Sequence, residues 1–152
     1  MIKYTLFAAF LFLIVSCNDK KTDQIDFTTQ NEEEILNYIS ENNLTTQKSS
    51  SGLHYVINDP GTGAQPSANS TVTVAYKGYF LNKSVFDESD SAGISFGLQQ
   101  VIPGWTEGIS YFKEGGNGIL LVPAHLGYGN FDTRGIPGGS VLIFEVELIS
   151  VN

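Results

Sequence analysis

Residues 141–151 read VLIFEVELISV, in which Leu142, Phe144, Val146 and Leu148 recur at every second position with Glu145 and Glu147 between them. A period of two belongs to a half-buried β-strand, because successive side chains point to opposite faces of a sheet. The two glutamates fall on the solvated side and the apolar set on a core. Working back along the chain, residues 71–76 (TVTVAY) repeat the pattern with Val72, Val74 and Tyr76 facing one way, and Leu53, Tyr55 and Ile57 share a face in the same manner. Residues 94–96 and 118–122 complete the strand candidates. Pro60-Gly61-Thr62-Gly63 and the segment around Pro66 punctuate a turn between the first two.

One helix interrupts these strands. Pro103 sits near its start, Trp105, Ile109 and Phe112 follow on one face, and Gly115-Gly116 ends it. Several strands around a single short helix, without regular strand-helix alternation, predict an α+β domain over residues 51–152 whose mainly antiparallel sheet packs on that helix. Ahead of it, Asn31-Glu32-Glu33-Glu34 opens a second helical pattern, with acids where the positive end of a helix dipole favours them. That helix is expected near residues 32–42, with Ile35, Leu36 and Ile39 on one side. It is too short to be stable without a partner surface.

The chain begins as a secretory signal does. Lys3 supplies the positive charge and residues 4–15 an uncharged, mostly apolar run, shorter than the about 20 residues a transmembrane helix requires. The run ends in Ile14-Val15-Ser16-Cys17, at the only cysteine of the chain. This resembles a bacterial lipobox. The resemblance implies a signal peptide over residues 1–16 and Cys17 as the mature N-terminus carrying a diacylglyceryl group. It also implies a polar tether over 17–50, which includes the short helix. The protein would then be exported and lipid-anchored to a bacterial cell-envelope membrane, its domain facing the periplasm or the cell exterior. Two acyl chains suffice for stable anchoring where one is marginal. The residues alone also allow ordinary cleavage that leaves a free thiol, or an uncleaved anchor. With no second cysteine no internal disulfide forms, and stability must come from packing.

Composition narrows the chemistry. A formal net charge of -8 and the lack of any Lys/Arg cluster argue against a nucleic-acid partner. No Gly-x-Ser-x-Gly elbow, phosphate-binding glycine loop or His-Glu-x-x-His pattern occurs. His54 and His125 lie far apart with no cysteine near, so they read as surface or loop residues rather than metal ligands. What the domain does hold is a surplus of apolar and aromatic residues near turns: Phe86, Phe96, Val101, Ile102, Trp105, Tyr128, Ile136 and Phe144. Taken singly such residues fill cores, Asp87 is a solvated turn acid and Tyr128 a loop anchor.

Their order says more. Val74-Ala75-Tyr76-Lys77-Gly78, Val85-Phe86-Asp87, Val101-Ile102-Pro103-Gly104-Trp105-Thr106-Glu107-Gly108, Pro123 with Gly127-Tyr128-Gly129, Gly135-Ile136-Pro137, and the run from Leu142 to Leu148 occur in that sequence. The series strongly resembles the FKBP-type peptidyl-prolyl cis/trans isomerases, from about Gly52 to Val151. The resemblance implies an antiparallel sheet of about five strands wrapped around one short helix. It implies isomerisation of Xaa-Pro bonds in exported or envelope proteins.

It also places Tyr76, Phe86, Asp87, Phe96, Val101, Ile102, Trp105, Tyr128, Ile136 and Phe144 around a proline pocket. Trp105 would be the floor, Phe86 and Phe144 the walls. The Ile102 N–H and the Tyr128 hydroxyl would donate to substrate carbonyls, and Asp87 would orient polar groups beside the twisting amide. Asp87, Tyr128, Trp105 and Phe86 make up the implied catalytic set, with the others binding substrate. No cofactor and no metal are implied. The implied partners are proline-containing unfolded or exported protein clients, the membrane through the lipid anchor, and macrolide inhibitors of the family. The alternative is a non-catalytic module that binds proline segments, or an assembly factor at the membrane. One departure concerns the rim: many family members carry a second proline after the Ile-Pro pair, whereas Pro137 is followed by Gly138-Gly139, which is expected to loosen that loop. Residues 130–134 correspond to no motif of the family.

Overall fold

The computed structural model describes residues 26–152, so the signal-like run and Cys17 lie outside the described residues. Its elements are α1 (Thr28–Glu41), β1 (Gln47–Lys48), β2 (His54–Asp59), β3 (Thr71–Phe80), β4 (Val85–Glu88), β5 (Ile94–Gly97), α2 (Pro103–Ile109), β6 (Asn117–Val122) and β7 (Leu142–Val151). All strand pairs are antiparallel. They form one sheet in the order β1-β2-β6-β7-β3-β4, with β5 also paired to β3. β5 runs along the first half of β3 and β4 along the second. This is the expected α+β architecture of an antiparallel sheet on a short helix. The sheet is broader than the sequence foresaw, because the polar run before Leu53 adds β1 as an edge and the Phe86-Asp87 segment is itself a strand.

The long pairing of β3 with β7 carries the alternation into packing. Val72, Val74, Val146 and Leu148 are buried in the main core, together with Ile109 and Phe112 from α2 and the turn after it. Glu145 and Glu147 stay exposed, as their phase requires. Pro103 occupies the first turn of α2, where its missing N–H costs nothing and its fixed φ suits a helix. The helix stops at Ile109, earlier than the apolar spacing suggested, and Phe112 reaches the core from the following turn.

The opposite face of the sheet has a second core. Ile35 and Tyr38 of α1 pack there against Tyr79, Leu121, Val141 and Ile143. This explains why β6 and β7 contain unbroken apolar runs: Leu120 faces one core and Leu121 the other, as do Phe144 and Ile143. The partner surface that α1 needs is therefore its own sheet. Two expectations are corrected here. Leu36 does not join Ile35 on the buried side but is 49% exposed, because α1 begins at Thr28 and its buried stripe is Asn31, Ile35 and Tyr38. His54 is not a surface histidine: it is buried under α1, where Nε2 lies 3.3 Å from Glu32 Oε2. Glu32 also pairs with Lys48 on β1 at 2.7 Å, and these bonds hold its carboxyl below the usual range, the one from Lys48 foremost.

Candidate functional site

Trp105, on α2, is nearly buried. Rings from four other segments gather around it. Tyr76 of β3 stands edge-on at 4.9 Å between ring centroids, and Phe144 of β7 does so at 5.2 Å. Phe96 of β5 lies at 5.3 Å. Phe86 of β4 meets Phe144 edge-on at 5.6 Å. Edge-to-face pairs at such distances are the favoured arrangement of aromatic quadrupoles, and they fix each ring by its neighbours. Gly78 makes the wall possible: a Cβ there would come within 2.7 Å of the Phe86 ring and 2.9 Å of the Phe144 ring.

These rings enclose a cavity of about 500 Å3, lined by Tyr76, Phe86, Asp87, Phe96, Val101, Ile102, Trp105, Tyr128 and Phe144. Thus nine of the ten residues that the resemblance assigned to a pocket line one cavity. The tenth, Ile136, does not line it and is buried in the main core beside Trp105 and Phe144. The cavity also takes in Ile94, Gln100, Thr133 and Arg134. The sequence offered no motif for these four, since they sit between the recognisable segments.

The polar groups at the mouth are few. The Tyr76 hydroxyl donates to Asp87 Oδ2 at 2.6 Å, the length of a charge-assisted bond. Burial, then this bond and the charge of Asp87, push the Tyr76 phenol well above the usual tyrosine range, so it remains a donor. Among the described residues, the Ile102 N–H and the Tyr128 hydroxyl have no hydrogen-bond partner. Both are therefore available to an incoming carbonyl. No group of three His, Cys, Asp or Glu side chains able to hold a metal occurs among the described residues.

The rim behaves differently from the expectation drawn from Gly138-Gly139. The Gly138 N–H donates to Asp132 Oδ1 and the Gly139 N–H to the Gly129 carbonyl, both at 2.9 Å. Gly139 has φ 78, and a Cβ there would run into the Phe27 ring. A proline at 138 would forfeit the bond to Asp132. The glycines let the loop close on itself and on the segment before α1, so the loop is tied down where loosening was expected.

The site is thus an apolar, ring-floored cavity on an antiparallel sheet, with the Asp87 carboxylate, the Ile102 N–H, the Tyr128 hydroxyl and Arg134 among its lining. The chain belongs to the FKBP-type peptidyl-prolyl cis-trans isomerase family, whose family model matches residues 63–149. It is 45% identical over 105 residues to the Escherichia coli K12 protein FkpA, an FKBP-type peptidyl-prolyl cis-trans isomerase, with 68% of this chain and 39% of that protein covered. The outer membrane protein MIP of Legionella longbeachae is 45% identical over 104 residues, covering 66% of this chain and 45% of its own. The crystal structure of FkpA from Escherichia coli superposes with a TM-score of 0.73 at 38% identity, covering 82% of this chain and 61% of that one. A peptidyl-prolyl cis-trans isomerase from Pseudomonas syringae superposes with a TM-score of 0.71 at 28% identity, covering 82% and 96%. The chain spans about two fifths of the length of the curated FkpA relatives it matches.

Proposed function

We propose that the protein is a peptidyl-prolyl cis/trans isomerase that assists the folding of exported or envelope proteins. The observation that carries this reading is the cavity floored by Trp105 and walled by Phe86, Phe96 and Phe144. Rotation about an Xaa-Pro bond needs no nucleophile, only a surface that prefers the twisted amide. The barrier of about 18–20 kcal/mol arises from the resonance that makes the planar amide rigid and polar. Twisting removes that resonance, so a water-poor apolar site disfavours the planar ground state relative to the transition state. The free Ile102 N–H and Tyr128 hydroxyl would hold carbonyls on either side of the rotating bond, and Asp87, steadied by Tyr76, would orient the polar groups beside it. Lowering the barrier by about 4 kcal/mol accelerates exchange about a thousandfold.

A proline-limited peptide exchange assay tests the reading. Asp87→Ala and Trp105→Phe are expected to lower kcat/KM by about tenfold or more, the equivalent of roughly 1.4 kcal/mol of transition-state stabilisation. Peptide binding with no acceleration by the wild type would leave a proline-segment binding module instead. In the same assay, a macrolide inhibitor of the family is expected to compete for the cavity; undiminished exchange at saturating macrolide would remove that ligand from the proposal.

We further propose that the protein is exported and held at a cell-envelope membrane by a diacylglyceryl group on Cys17. Support comes from Lys3, the apolar run before Ser16-Cys17, and the relative from Legionella longbeachae that is an outer membrane protein. No helix among the described residues is long and apolar enough to cross a membrane. The mass of the mature N-terminal peptide checks this: acylated Cys17 is expected, and an unmodified thiol there would refute the anchor.

A further inference from the structure

Arg134 is the only arginine of the chain, and the fold displays it in an unusual way. Thr133 and Ile136 exchange two backbone hydrogen bonds of 2.9 Å around it. Between them Arg134 has φ 53 and Gly135 φ 83. Two successive positive φ values mark a type I′ turn, whose first central position favours Asn, Asp or Gly. A long side chain with a Cβ is disfavoured there, and such outliers gather where a site needs them.

The position gives the guanidinium a setting as well as a strain. Arg134 lines the same cavity as Trp105 and Phe144. Among the described residues it has no hydrogen-bond or ion-pair partner. Two carboxylates have other partners instead: Asp132 Oδ1 accepts the Gly138 N–H, and Asp87 Oδ2, on the same cavity, accepts the Tyr76 hydroxyl. The chain as a whole, with a formal net charge of -8, repels acidic segments. An unpaired planar fork at the mouth offsets the Asp87 charge there and matches a carboxylate in two-pronged fashion.

We infer that Arg134 is a specificity-determining residue that favours client segments with an aspartate or glutamate next to the proline. The inference rests on the isomerase reading of the cavity. It assigns to the turn at 133–136 the choice among proline sites that the aromatic floor, indifferent to charge, does not make.

The test compares proline peptides with Leu or Glu immediately before or after the proline, on wild type, Arg134→Asn and Arg134→Lys. Asparagine suits the positive φ and removes the charge, so the turn is kept. In at least one register the Glu/Leu ratio of kcat/KM is expected to fall roughly two- to fivefold in Arg134→Asn, the range of an exposed ion pair. Arg134→Lys should fall less, and the wild-type ratio should approach that of Arg134→Asn as salt is raised. Equal ratios in wild type and Arg134→Asn at low salt overturn the inference.

Fluorescence of Trp105, the only tryptophan, reads peptide affinity independently of turnover. A Glu preference in affinity that Arg134→Asn abolishes upholds the inference even if no exchange is accelerated, in which case only the isomerase reading falls. Accelerated exchange with no Glu preference in either readout sinks the inference and leaves that reading intact.

Discussion

Asn31 shows how one side chain can join distant parts of the site. It is completely buried. Its Nδ2 donates to the Gly139 carbonyl at 2.8 Å and its Oδ1 accepts the Ala124 N–H at 2.8 Å. The amide therefore fastens α1 both to the turn that leads to Tyr128 and to the loop after Ile136. In Asn31→Ala both backbone groups lose their partner in a buried setting, at a cost of about 1–3 kcal/mol each. Urea unfolding should show a loss of about 2–6 kcal/mol. A change within about 0.5 kcal/mol, typical of a surface substitution, would refute the staple. None of this was legible in the sequence, where Asn31 read only as the start of an acidic helix, because its partners lie 93 and 108 residues away. Tyr76, Asp87, Trp105 and Phe144 were legible, since each sits inside a local motif. Arg134 was not, because no motif spans its turn.

At the scale of elements, periodicity located the strands well and their limits less well. The alternation of 71–76 and 144–148 reflects one buried face directly, whereas β4 and β1 are too short and polar to carry a period. Hydrogen bonds, invisible to patterning, then set how α2 is held. Glu107 accepts the hydroxyls of Ser51 at 2.6 Å and Tyr111 at 2.7 Å, and Tyr111 stacks on Tyr55 of β2 at 4.4 Å. Burial alone would raise the Glu107 carboxyl, but the bonds from Ser51 and Tyr111 and the nearby Ser49 hydroxyl outweigh it and hold the group below its ordinary range. Burial, then Glu107, pushes the Tyr111 phenol up to about 12. The depressed acid stabilises the fold above the ordinary glutamate value of about 4.3 and loses that contribution as pH falls through its folded value. The raised phenol contributes fully below about pH 10 and loses its contribution as pH climbs toward its folded value. The stability gap between wild type and Glu107→Gln should therefore be widest near neutrality and close on acidification below about pH 4. Urea midpoints taken from pH 7 down to pH 3 measure it, and a gap that stays constant across that range would contradict the assignment.

For the whole molecule, the decisive feature is that one sheet separates two cores and shares its strands between them. β7 gives Phe144 to the cavity side and Ile143 to the α1 side, and β6 divides Leu120 and Leu121 in the same way. The sequence announced that α1 required a surface but not which one, because an unbroken apolar run carries no phase from which to read two faces. Sharing strands makes the two cores interdependent: loosening one withdraws support from backbone that the other uses. Ile35, fully buried on the α1 side, offers the test. Ile35→Ala should cost about 2–5 kcal/mol through lost burial and the cavity left behind. Trp105 fluorescence reports the opposite core, while far-UV circular dichroism reports all elements. If the cores unfold together, both signals shift by the same amount and keep a common midpoint. If instead dichroism begins to fall while Trp105 retains the wild-type transition, α1 detaches on its own and the pocket does not depend on it.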